Sequence, residues 1–147
     1  MFLVACSQAS APSAPPPPPA PKPIPAEPAP DPVALQALST QVEQGKQLFA
    51  EQCASCHGDT GQGTDDGPAL VGKTVLPELP REGAKRTAVF RTAADVLTFA
   101  AANMPADDPG SLAPDQYAAV IAFILRVNGI KLDTPIDAAV AVTIVMH

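Results

Sequence analysis

The pentapeptide Cys53-Ala54-Ser55-Cys56-His57 constrains this chain more than any other stretch, because two thiols three residues apart with a histidine directly after them have few structural uses. A structural zinc site needs four ligands, and the other Cys and His of the chain, Cys6 and His147, each lie near a chain end. A thioredoxin-like dithiol follows a strand in a βαβ pattern, whereas the preceding Gly45-Lys46-Gln47-Leu48-Phe49-Ala50-Glu51-Gln52 reads as helix. The remaining use is covalent attachment of a c-type haem, for which Cys-x-x-Cys-His is the required spacing. Each thiol adds across one haem vinyl group, and a helical turn brings both sulfurs along one edge of the macrocycle. His57 then lies under the iron as the expected proximal ligand, with its other ring nitrogen free to donate a hydrogen bond.

How much of the chain folds around that site is bounded by proline, since twelve of the nineteen prolines lie between Pro12 and Pro32. Residues 7–32 are Pro, Ala and Ser with hardly any large apolar side chains, so they form a disordered linker. Polyproline II geometry at about 3.1 Å per residue would let this tether reach roughly 80 Å; a Pro-rich ligand for another protein's groove is the other use of such a run. Residues 1–6 read as the tail of a secretory signal, and Leu3-Val4-Ala5-Cys6 resembles a bacterial lipobox, with Cys6 the acylated residue. An incidental cysteine in a short apolar stretch is the plainer alternative. The folded domain is then 33–129, with 130–147 a C-terminal extension packed on it. The net charge of −6 argues against nucleic acid and anionic lipid as primary partners.

Within the domain, Val33, Leu35, Leu38, Val42, Leu48 and Phe49 fall at helical spacing after Pro32, which suits a helix start. Gly58 to Leu70 is rich in turn formers and predicts a loop, whose Asp59, Asp65 and Asp66 are a solvated cluster or a calcium site. The segment from Val71 to Arg91 is broken by Pro77, Pro80 and Gly83 and carries Arg81, Lys85, Arg86 and Arg91. These cations pair with haem propionates, form a docking patch for an acidic partner, or are simply solvated. Thr92 caps a helix with Asp95 in its first turn and Val96, Leu97, Phe99 and Ala100 on one face. Pro105 disfavours helical geometry at Met104, so that side chain is presented from a loop. Pro114 to Asn128, with Tyr117, Val120, Ile121, Ile124 and Leu125 on one face, is the clearest helix, and Gly129 suits the position after its end. The apolar run from Ala138 to Met146 is far too short to span a bilayer and is expected to fold back as an extended segment or short turn.

From about Gln41 to Gly129 the chain resembles class I cytochromes c: a Gly and an aromatic four residues apart (Gly45, Phe49), the pentapeptide, Gly67-Pro68-Ala69-Leu70, and Met104-Pro105 occur in that family's order. The resemblance implies an all-α fold of three main helices around one covalently bound haem, preceded by the disordered tether. It implies that the Pro68 carbonyl accepts the Nδ1 hydrogen of His57, that Leu70 walls the pocket, and that Met104, 47 residues after His57, is the second axial ligand. It places Gly45 where the last helix crosses closely, with Tyr117 or Phe123 meeting Gly45 and Phe49. Haem attachment in bacteria takes place outside the cytoplasm, so the implied location is the periplasm or the outer face of the membrane, with lipid at Cys6 the only membrane attachment. The implied function is a one-electron carrier rather than an enzyme, docking transiently on oxidases, reductases or dehydrogenases. A dedicated cytochrome subunit of a periplasmic dehydrogenase is one alternative, and a haem enzyme or gas sensor with an open iron position is another.

Overall fold

The computed structural model describes residues 29–146 other than 74 and 85. Cys6, the tether up to residue 28, Lys85 and His147 therefore lie outside the described residues. Among those described, every named element is helical: α1 (Pro32–Gln52), α2 (Ala54–His57), α3 (Ala93–Asn103), α4 (Pro114–Val127) and α5 (Ala138–Ala141). None of them is long and apolar enough to cross a membrane.

Local chemistry starts and stops each long helix. Pro32 stands in the first turn of α1, and the Asp31 carboxylate accepts from Val33 N at 2.8 Å. At the head of α3 the Asp95 carboxylate accepts from the backbone N–H of Thr92 at 2.8 Å and of Arg91 at 2.9 Å. Those two backbone bonds hold the Asp95 carboxyl below its ordinary value, that from Thr92 contributing most. The α4 helix has Pro114 in its first turn, and the Gln116 side chain reaches back to Ala113 N at 2.8 Å.

The core is organised by α4, which packs most extensively on α1. Gly45 makes the crossing possible: a Cβ there would lie 1.9 Å from Ala119 O and 2.4 Å from Ala119 C. One turn further along α1, Phe49 meets Phe123 with ring centroids 5.5 Å apart and planes at 54°. Of the two aromatics expected at this crossing it is therefore Phe123 that joins Phe49, while the backbone of Ala119 meets Gly45. Tyr117 precedes Ala119 by two residues, about 200° around the helix, and faces elsewhere. Burial extends well round α4, including Tyr117, Ala118, Ala122 and Leu125, because α3 packs on it as well as α1, and Leu132, Ile136 and Ala141 of the C-terminal segment join the same core.

Two segments that the sequence left indistinct are tied down by single polar side chains. Arg86 gathers the irregular stretch before α3, donating from Nη2 to Pro77 O at 2.8 Å and Leu79 O at 3.0 Å, and from Nη1 to Ala88 O. Its guanidinium lies 3.9 Å from the centroid of Phe90. That cation is thus spent on the chain's own carbonyls, and Arg91 pairs with Glu78 at 3.2 Å. After α4, Leu132 and Ile136 are buried, and the Gln41 amide both donates to Ile136 O and accepts from Ile136 N at 2.7 Å. The end of the extension makes an isolated antiparallel bridge, Thr92 with Val145, beside the start of α3.

Two outcomes follow from these contacts. Gly45→Ala would gain about 1 kcal/mol of helix propensity but drive a methyl into backbone that cannot swing aside, a cost of about 1–3 kcal/mol or more. The haem-loaded variant should therefore unfold at a clearly lower urea midpoint with an unchanged m value. Because Asp95 is held below its unfolded value, its contribution is fully present above the ordinary carboxylate value and is lost as pH falls through the folded one. Asp95→Ala should lower the melting temperature by a few degrees at neutral pH, and the gap should narrow once the pH drops below 3.8.

Candidate functional site

The end of α1 runs almost without interruption into α2. Cys53 N donates to Phe49 O at 2.9 Å as the last bond of α1, and His57 N donates to Cys53 O at 2.9 Å. The two thiols are thereby set three residues apart, Cys53 at the junction of the helices and Cys56 within the turn of α2, and both are free rather than joined in a disulfide. Burial, then the neighbouring Cys56, pushes the Cys53 thiol up to about 11, so it is protonated at neutral pH. Cys56 is exposed.

The chain reverses after His57 and returns beneath it. Gly63 N donates to His57 O at 2.7 Å, Thr64 Oγ1 to Cys56 O at 2.5 Å and Leu70 N to Gly61 O at 2.8 Å. Close approach dictates Gly67, where a Cβ would lie 2.7 Å from Cys56 O and 3.2 Å from His57 Nδ1. The next residue places its carbonyl against the ring: His57 Nδ1 and Pro68 O are 2.7 Å apart. A carbonyl can only accept, so Nδ1 carries the hydrogen, and in the neutral ring that tautomer leaves the lone pair on Nε2.

Nε2 is the notable atom of the site. His57 is only 7% exposed, yet Nε2 makes no hydrogen bond among the described residues, and none of their fully buried side-chain nitrogens or oxygens is without a partner. Nε2 is therefore not fully enclosed by the described residues, and a neutral imidazole nitrogen can serve as a metal ligand. Two free thiols on the adjoining turn complete a donor set that fits a haem: Cys53 and Cys56 would hold the macrocycle and His57 would bind the iron. No cluster of three or more His, Cys, Asp or Glu side chains fit to hold a metal ion forms among the described residues, so Asp59, Asp65 and Asp66 do not converge into one.

The other expected residues are placed as follows. Leu70 is half-buried and packs against the hydrophobic core. Met104 caps the C-terminus of α3 in extended geometry, φ −128° and ψ 149°, with Pro105 after it, and is half-buried. Two residues hold these loops in roles that sequence reasoning does not give them, since it marks Asn128 only as a helix end and Tyr117 as a partner for Gly45 and Phe49. Asn128, at the end of α4, donates from Nδ2 to Leu70 O at 2.8 Å and accepts from Gly72 N at 2.9 Å. Tyr117 donates from Oη to Met104 O. A capping Asn and a buried Tyr are common in helices, and nothing local in the sequence says which distant carbonyl each will reach.

Comparison with known proteins agrees with this geometry. The family model described as "Cytochrome c" matches residues 42–128. A thiosulfate dehydrogenase of Psychrobacter arcticus is 37% identical over 93 residues, covering 59% of this chain and 26% of that protein. A second thiosulfate dehydrogenase, from Stutzerimonas stutzeri, is 57% identical over 30 residues, 20% of this chain and 10% of that one. Among solved structures, the sulfane dehydrogenase SoxCD from Paracoccus pantotrophus is similar with a TM-score of 0.55 and 30% identity, covering 71% of this chain and 52% of that chain. The chain thus spans about a quarter or less of the curated relatives it matches and about half of the solved one.

Proposed function

This chain belongs to the cytochrome c family, and we propose that it is an extracytoplasmic one-electron carrier with a single haem c held by Cys53 and Cys56 and ligated by His57 and Met104. The observation that carries the reading is the His57 ring, buried, fixed through Nδ1 by Pro68 O at 2.7 Å and presenting an unengaged Nε2. The haem supplies a one-electron couple between ferrous and ferric iron, whose potential a thioether ligand raises relative to bis-histidine ligation. The chain's own residues do the rest. Pro68 holds the tautomer and plane of His57, Leu70 and the core beside it would exclude water, and Met104 would be the second residue to hold the iron, leaving no position for a substrate. Cys6 and the Pro-rich tract support a lipid anchor with a long tether, which would let the domain move between redox partners by transient docking.

A second reading is favoured by the names of the relatives, two thiosulfate dehydrogenases and a sulfane dehydrogenase. In it the domain is the dedicated acceptor of a dehydrogenase that oxidises a reduced sulfur compound, taking the electrons released one at a time and passing each on.

Absorption spectra of the haem-loaded protein test the first reading. The reduced form should give sharp α and β bands and bind no carbon monoxide. The oxidised form should show a weak near-infrared thioether-to-iron band that Met104→Ala abolishes; a band untouched by that substitution, or a high-spin spectrum, would give the open-iron alternative precedence. Thiosulfate alone should leave the ferric protein oxidised, whereas thiosulfate with a thiosulfate dehydrogenase should reduce it. Reduction by thiosulfate alone would make this chain an enzyme, and no reduction in either mixture would remove the thiosulfate form of the second reading while leaving the carrier.

A further inference from the structure

Met104 leaves α3 with both of its backbone polar groups engaged, and by different helices. Its N–H donates to Ala100 O at 2.8 Å, the closing bond of α3, while its carbonyl accepts from Tyr117 Oη of α4 at 2.5 Å. The same hydroxyl accepts from Gly110 N at 3.1 Å. One oxygen atom thus ties together the two ends of the turn 105–110.

That turn has little else to hold it. Residues 106–111 are exposed, and its other bonds among the described residues, Asp108 N to Pro105 O at 3.1 Å and Ser111 N to Asp108 O at 3.3 Å, stay within it. Tyr117 by contrast is 5% exposed and rooted in the second turn of the most buried helix. A rigid phenol with its oxygen at a fixed height above α4 determines where the Met104 carbonyl can lie, and so the plane from which that side chain is presented.

We propose that Tyr117 is the positioning residue for Met104, setting how firmly the methionine is held at the iron and therefore how readily an outside ligand displaces it. This rests on Met104 being the second axial ligand. An exogenous ligand binds only the fraction of molecules in which Met104 has swung away, so its apparent affinity reports that fraction. Removing the hydroxyl breaks the bonds to Met104 O and Gly110 N together and raises the open fraction.

The test uses imidazole and the haem-loaded full chain. Tyr117→Phe keeps the ring and removes the oxygen; it should bind imidazole to the ferric form about tenfold more tightly, the effect of losing one to two hydrogen bonds. Its near-infrared band should persist in the cold and vanish at a lower temperature than in the parent. Phe123→Leu, which weakens the contact with Phe49 and does not touch the turn, should lower global stability and leave imidazole affinity unchanged. An affinity within about twofold of the parent for Tyr117→Phe, or an equal rise in Phe123→Leu, would overturn the proposal. Met104→Ala separates it from the reading beneath it: that variant should lose the band and bind imidazole far more tightly, and if it does neither the ligand assignment fails and the proposal with it. If Met104→Ala behaves as expected and Tyr117→Phe matches the parent, only the role of Tyr117 falls. A measurement on the unaltered protein stands independently of folding in the variant: the Gly110 amide, on an exposed residue, should exchange slowly with solvent and faster when imidazole is added, and exchange at the unprotected rate would overturn the proposal.

Discussion

Everything in this domain hangs on the distance between α1 and α4 at Gly45. A side chain there would collide with the carbonyl of Ala119, so the two backbones touch directly. Once they do, the geometry of both helices propagates outward. Along α1, Phe49 falls against Phe123 one turn later and Cys53 ends the helix one turn after that, so the haem pentapeptide begins at a defined height above the crossing. Along α4, Tyr117 lies just before the contact and Asn128 about two and a half turns after it. The first reaches the turn that carries Met104, the second the loop that carries Leu70. One close approach therefore sets the heights of the pentapeptide, the Met104 turn and the Leu70 loop together.

The polar groups around His57 follow a similar economy. Burying an imidazole costs free energy unless its nitrogens find partners, and here one nitrogen is satisfied by Pro68 O while the other makes no hydrogen bond among the described residues and is not fully enclosed by them. Gly67 is what lets that carbonyl come so near, since any larger residue would strike Cys56 O. The loop from 58 to 70 is irregular in outline but rigid in effect. Backbone bonds such as Gly63 N to His57 O and Leu70 N to Gly61 O close it into the cradle that fixes one imidazole plane.

What could be read in the sequence was whatever depends on near neighbours in the chain. The Thr92 and Asp95 pair, Pro114 at a helix start and the Met104-Pro105 step each act over four residues or fewer, and the helix ends expected of them fall there, while the pentapeptide turns helically as its spacing suggested. Gly45 and Phe49 were legible because their spacing matches a known helix crossing, although choosing Phe123 over Tyr117 as the partner required the helix phase. Arg86, Asn128 and Gln41 were not legible. Their partners are backbone carbonyls and amides, which every residue has, so no side-chain pattern marks the site to which a guanidinium or amide will travel. For the cations between Val71 and Arg91 the sequence left haem propionates, a docking patch and plain solvation open, and none of these uses points to what Arg86 does, which is to gather the chain's own carbonyls and stack over Phe90.

The C-terminal extension shows how a helical domain can close without a sheet. The family match stops at residue 128, and the chain then runs on through buried Leu132, Ile136 and Ala141. Extended backbone needs partners for its N–H and C=O groups, and α1, whose own backbone groups are spent on its helix, offers none. The Gln41 side chain takes that place, donating and accepting at Ile136 as a neighbouring strand would. At its far end the extension pairs with Arg91, Thr92 and Ala93, the residues at the head of α3. It thereby links the helix that leads into the Cys and His residues to the helix that delivers Met104, along a path that does not pass through α4. The α3 helix is thus held from two directions, by its own packing on α4 and the Tyr117 bond to Met104 O on one side and by this segment on the other.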